Sequence, residues 1–91
     1  MEESRIEKRL KKEIEKLGGK ALKFVSPGMS GVPDRIILLP QGRIVFIELK
    51  APGKKPRSIQ KYRIKELKNL GFRVEIIDSI EGVNNFIREI K

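Results

Sequence analysis

The sequence predicts an α/β fold of element order α-β-β-β-α-β-α, a mixed four-stranded sheet flanked by helices. Three observations carry this. Ile6, Leu10, Ile14 and Leu17 recur at helical spacing near one end of the chain, and Ile80, Val83, Ile87 and Ile90 do so near the other. Between them lie four short runs rich in β-branched and aromatic residues, "ALKFV", "DRIILL", "GRIVFIELK" and "FRVEIID", bounded by Gly and Pro. The third and fourth runs are joined by residues 51 to 71, a stretch with its own helical pattern, and such a βαβ connection is right-handed and sets its two strands parallel.

The elements follow in order. Residues 2 to 17 form the first helix, stopped by Gly18 and Gly19. Residues 21 to 25 form a short strand. The loop "SPGMSGVP" leads into the second strand, and "PQG" returns the chain as the third, residues 43 to 50. The loop is a plain connection or, through Gly28 and Gly31, a source of backbone amides for a phosphate. In the third strand Ile44, Phe46, Glu48 and Lys50 share one face and Val45, Ile47 and Leu49 the other, so it is apolar on both sides and central. After "APGKKP" a helix runs from about 57 to 70 and ends at Gly71. The fourth strand sets Phe72, Val74 and Ile76 on one face, and Ser79 or Asp78 caps the last helix.

Composition narrows the chemistry. At 91 residues the chain is expected to be a single domain with a modest core. It has neither cysteine nor histidine, which excludes disulfides, thiolate or imidazole metal sites and Ser-His or Cys-His catalysis. Neither a membrane span nor a secretory signal is expected, and the protein reads as cytoplasmic. A net charge of +9 favours a polyanionic partner such as nucleic acid. The excess is concentrated between residues 50 and 68, which hold eight basic side chains and a single acidic one, Glu66. Within that segment Lys54, Lys55, Arg57 and Lys61 are the candidate DNA-binding residues.

The third strand ends unusually for one built for burial: Glu48 and Lys50 point the same way from an apolar sheet. If the hairpin is centred on Gln41, Asp34 stands directly opposite Glu48, with Cβ atoms about 5 Å apart on one face. A two-residue loop would instead turn Asp34 toward Leu49. Two facing carboxylates are destabilising unless one protonates or a cation lies between them, and Mg²⁺ is the natural occupant. Taken separately, Asp34 is an ordinary acid at a strand start and Glu48–Lys50 an ion pair at a strand end.

Pro33-Asp34, thirteen residues, then Glu48-Leu49-Lys50 resembles the PD-(D/E)XK nuclease signature, and the αβββαβ order resembles the restriction-endonuclease-like core. More closely, "GVPDRIILLP", "FIELKAPG" and the Gln that follows are similar to the stand-alone form of the virus-type replication-repair nuclease (VRR-NUC) family. The resemblance implies that Asp34 and Glu48 bind the metal, with the main-chain carbonyl of Leu49 as a further ligand, and that Lys50 is the active-site lysine. It implies a helix glutamine at Gln60 and a first-helix acid at Glu7, with Glu3 as the competitor. It further implies an Mg²⁺-dependent endodeoxyribonuclease, with Mn²⁺ able to substitute, that acts on branched DNA such as Holliday junctions as a homodimer. A non-catalytic basic nucleic-acid-binding module and an assembly protein of the same fold are the competing readings.

The clustered charge predicts that DNA binding falls steeply with salt, by about 0.9 in log affinity per unit log salt for each phosphate neutralised. Replacing Lys54, Lys55 and Arg57 by Ala flattens that slope in a fluorescence-anisotropy titration; an unchanged slope moves the binding surface elsewhere.

Overall fold

The computed structural model describes residues 2–91. Helix α1 (Glu2–Lys16) is followed by strands β1 (Lys20–Lys23), β2 (Arg35–Leu39) and β3 (Arg43–Leu49), then helix α2 (Ser58–Asn69), strand β4 (Arg73–Ile77) and helix α3 (Ile80–Ile90). The sheet runs β1-β2-β3-β4. Its first three strands are antiparallel, and β4 is parallel to β3. This is the expected order, with the crossover helix α2 between the two parallel strands.

The two faces of β3 meet different helices. Val45, Ile47 and Leu49 join Ile37, Leu39 and Ile77 in the main core, which α1 closes with Ile6, Leu10 and Ile14 and α3 with Val83, Phe86, Ile87 and Ile90. On the opposite face Phe46 and Val74 pack on Ile64 of α2, with Phe24, Ile36 and Leu67 around them. Each buried Leu, Ile or Phe contributes about 1.5–3 kcal/mol. The sheet is therefore sandwiched, which is why β3 needs no polar side. Ser79, not Asp78, caps α3: its Oγ accepts the amide of Gly82 at 2.9 Å.

Two local readings shift. Strand β1 begins at Lys20 and its ladder ends at Lys23, although the amide of Phe24 still donates to the Asp34 carbonyl at 2.9 Å. Beyond Val25 the chain turns away from the sheet, with the Met29 amide donating to the Ser26 carbonyl at 3.1 Å. Phe72, just before β4, and Val74 and Ile76 on it share a face as their spacing requires, but only Val74 is buried; Phe72 and Ile76 remain 38% and 47% exposed.

The turn between β2 and β3 determines the site. Pro40–Gly42 form a tight three-residue connection in which Gln41 takes φ 69° and Gly42 φ 74°, and Leu39 faces Arg43 across it. The register is thus centred on Gln41, with Arg35 opposite Ile47, and one step further sets Asp34 opposite Glu48.

The loop before Asp34 is held against α2. Arg63 Nε donates to the Ser30 carbonyl at 2.8 Å. Gly31 has φ +85°, and a Cβ there would lie 2.8 Å from Ile59 Cγ1 and 2.9 Å from the Ile59 carbonyl oxygen. Close packing on α2 thus accounts for that glycine. Gly31→Ala is expected to lower stability by about 1–3 kcal/mol in urea unfolding. Gly28→Ala, where a Cβ meets nothing within 4 Å, serves as the near-neutral control.

Candidate functional site

Asp34, Glu48, Lys50 and Gln60 come together where β3 ends, on the α2 side of the sheet. Alternation along the strands is the cause: Asp34 and Ile36 on β2 and its approach, and Phe46 and Glu48 on β3, project toward α2, while Arg35 and Ile47 project toward α1 and α3. Glu48 is 2% exposed, a carboxylate placed as deeply as the core around it.

The site's polar atoms form a connected set. Glu48 Oε2 accepts from Gln60 Nε2 at 2.9 Å and lies 3.2 Å from Lys50 Nζ. Gln60 Oε1 accepts the Arg57 amide at 2.8 Å, one of the donors that a helix start leaves unpaired, so the side-chain NH₂ is committed to Glu48. Asp34 Oδ1 accepts the Leu49 amide at 3.1 Å. Glu48 Oε1 is buried and has no hydrogen-bond partner among the described residues. An acceptor without a donor in a dry place is costly, and a cation would satisfy it.

Pro33 shapes the same spot. In the register centred on Gln41 it faces Leu49, whose backbone groups turn toward β2. Lacking an N–H, Pro33 cannot donate to the Leu49 carbonyl, while the Leu49 amide donates to the Asp34 side chain. The Leu49 carbonyl thus receives no ladder donor from Pro33.

Both acids hold their protons more tightly than ordinary carboxylates. Burial is the main cause for each. The charge of Asp34 raises Glu48 further, while the hydrogen bond and charge of Lys50 oppose it. For Asp34, the Leu49 amide and Arg35 oppose burial, the carboxylate of Glu3 adds to it, and Lys50 pulls weakly downward.

The first-helix acids divide. Glu7 is bonded to Arg35, whose other guanidinium nitrogen donates to the Asp34 carbonyl at 2.8 Å. Glu7 is thus linked to the site through Arg35. Glu3 is exposed, yet its charge bears on Asp34. Among the described residues no group of three or more Asp or Glu side chains gathers as a metal-ligand cluster. The acids that the register sets opposite one another are Asp34 and Glu48, and the charge of Asp34 bears on Glu48. Lys54, Lys55, Arg57 and Lys61 are all exposed, at the start of α2 and in the loop before it.

Arg35 is the residue that sequence reasoning passed over. It is buried and links α1 to the backbone of Asp34. Its signal was available: Arg35, Ile37 and Leu39 share the core face of β2, so a charge stands on an apolar stripe just as Glu48 does on β3.

A raised carboxylate pKa makes the folded protein bind more protons than the unfolded chain in the window between the ordinary and the raised value. Stability from this source is therefore present at low pH and is lost as the pH rises through the raised pKa. Asp34→Asn relieves the pair, so in EDTA it is expected to melt at a higher temperature than the parent at pH 7, with the difference shrinking as the pH falls through the raised pKa toward the ordinary carboxylate value. Thermal melts across pH 4 to 8 measure it; a variant that melts lower throughout contradicts it.

Comparison with known proteins identifies the family. The profile of the VRR-NUC domain matches residues 1–81. A protein of Acyrthosiphon pisum secondary endosymbiont phage 1, named "Putative nuclease p44", is 52% identical over 77 residues, covering 85% of this chain and 83% of its own. A solved structure titled "VRR_NUC domain" superposes with a TM-score of 0.94 at 32% identity, covering 100% of this chain and 99% of that one. A second, titled "VRR_NUC domain protein", shares the fold at a TM-score of 0.73 and 17% identity, over 97% of this chain and 86% of that one. With the profile spanning most of the chain and the Asp34–Glu48 pair in place, the protein belongs to the VRR-NUC family.

Proposed function

We propose that this member of a nuclease family is a divalent-metal-dependent DNA endonuclease that hydrolyses phosphodiester bonds in branched DNA, four-way junctions foremost, and works as a homodimer. Mg²⁺ is the proposed ion, with Mn²⁺ as a substitute. The observation that carries the reading is the facing Asp34–Glu48 pair with its buried, unpartnered Glu48 Oε1. The family and the name of the phage relative support nuclease activity. A homodimer is supported by the small core and by the single Asp34, Glu48, Lys50 site on each chain, because resolving a symmetric junction takes two cuts.

The residues present fit the ion. Asp34, Glu48 and the carbonyl of Leu49 would hold it, a set of hard oxygen donors suited to Mg²⁺. Bound there, a divalent cation supplies a Lewis acid for a phosphoryl oxygen, a more acidic water and charge neutralisation worth several kcal/mol. The chain's own groups do the rest. Lys50, 3.2 Å from Glu48 Oε2, places a positive charge where it can orient a water and stabilise charge developing on the phosphate. Gln60 holds Glu48 in one rotamer through its fixed amide. Glu7 acts at one remove: it holds Arg35, and Arg35 holds the backbone at Asp34. Lys54, Lys55, Arg57 and Lys61 bring the phosphate backbone to this end of the sheet.

Asp34→Asn, Glu48→Gln and Lys50→Ala are each expected to lower cleavage about a hundredfold or more while folding and DNA affinity stay near the parent's. The assay compares duplex, single-stranded, flap and four-way-junction DNA with and without Mg²⁺. Full activity in any two variants ends the catalytic assignment. Undiminished cleavage in EDTA ends metal dependence, and equal cleavage of all substrates ends branch selectivity. Binding without cleavage under every condition supports the non-catalytic module instead.

A further inference from the structure

The free edge of β4 is complementary to itself. On one side β4 pairs with β3, and on the other it has no strand among the described residues. The Ile77 carbonyl accepts the Lys50 amide at 3.0 Å, so Arg73, Glu75 and Ile77 turn their backbone groups toward β3. By alternation Val74 and Ile76 turn theirs outward, and their amides have no backbone partner among the described residues. Phe72, just before the strand, and Ile76 on it are large apolar residues left half-exposed. A bare edge of this kind is a template for another strand.

The pattern of charges says which strand. We infer that β4 pairs antiparallel with β4 of a second copy, with Val74 on the two-fold axis, joining two four-stranded sheets into one of eight strands. In that register Arg73 faces Glu75 of the second copy, Glu75 faces its Arg73, and Phe72 faces its Ile76. Sliding by two residues one way sets Glu75 against Glu75, and sliding the other way sets Arg73 against Arg73, so like charges oppose both alternatives. Sliding by one residue loses the outward backbone pairing. Arg73 already lies along this side of the strand, bonded to Glu75 and to Glu89 of α3, and its guanidinium covers the Phe86 ring. The seam thus extends an arrangement that each chain already makes.

The inference rests on the proposed homodimer and gives it a geometry. Because the axis is perpendicular to the sheet, both copies of Glu48 lie on the same face. Three strand spacings of about 4.8 Å separate the two β3 strands, and Glu48, level with Ile76, lies two residues beyond the axis on each side. The two sites are then about 20 Å apart and point in opposite strand directions. This suits a substrate that presents two phosphates of opposite polarity to one protein face, as a symmetric four-way junction does.

The test is a charge swap read by sedimentation velocity, with circular dichroism to confirm folding. Glu75→Arg sets arginines against one another and is expected to raise the dimer dissociation constant at least tenfold. Arg73→Glu combined with Glu75→Arg restores opposite charges and brings it back to within about threefold of the parent. A parent dimer that is indifferent to Glu75→Arg overturns the seam and leaves the homodimer standing. A parent that is monomeric at micromolar concentration, with and without junction DNA, overturns both. Amide exchange of the parent gives a second readout that needs no variant: the Val74 and Ile76 amides are expected to be protected at high protein concentration and to lose that protection on dilution. Concentration-independent exchange at these two amides also overturns the seam.

Discussion

Two carboxylates facing each other across the end of an apolar sheet set the terms for the rest of this molecule. At about 5 Å and an effective dielectric near 20, two unit negative charges repel by on the order of 3 kcal/mol, before the cost of burying Glu48 is added. One surface ion pair, worth roughly 0–1 kcal/mol, does not offset that. The chain assembles several partial remedies around the pair: the Leu49 amide on Asp34, and the Gln60 amide and Lys50 ammonium on Glu48. Even so, both acids stay raised and Glu48 Oε1 stays unpartnered. A site left this unbalanced fits a group held ready for a cation better than it fits a structural ion pair.

The fold explains why the pair forms. A turn of three residues, closed by positive φ at Gln41 and Gly42, sets a register in which Asp34 and Glu48 share a face. One residue more or less would send Asp34 to the face of α1. Core packing locks the choice, because the same slip would turn Ile37 and Leu39 out of the main core. Helix α2 then delivers Gln60 from above, and Pro33 keeps the ladder from consuming the Leu49 carbonyl. Stability and site geometry thus depend on one register.

Much of this was legible in the sequence because it follows from periodicity. The 3.6-residue stripes of α1 and α3, the two-sided apolar pattern of β3 and the spacing of Asp34 and Glu48 about Gln41 read directly onto the structure. Gln60 was legible as an inward residue at the start of α2, though its donor to Glu48 was not, since that depends on where the helix lands on the sheet. The partner of Glu7 was hidden for a similar reason. Helical spacing placed it beside the buried stripe, but only the packing of α1 against β2 decides that it meets Arg35. The exposed Phe72 and Ile76 follow from how far α2 extends over β4, a length that a stripe of apolar residues does not reveal.

The central claim is that Asp34 and Glu48 form a cradle for a divalent ion, and anomalous scattering from a crystal grown with Mn²⁺ tests it most directly. The account predicts a single strong peak bonded to carboxylate oxygens of Asp34 and Glu48 and to the Leu49 carbonyl, at distances of about 2.0–2.3 Å. A crystal of protein that cleaves DNA with Mn²⁺, yet shows no peak between those two residues, would contradict it.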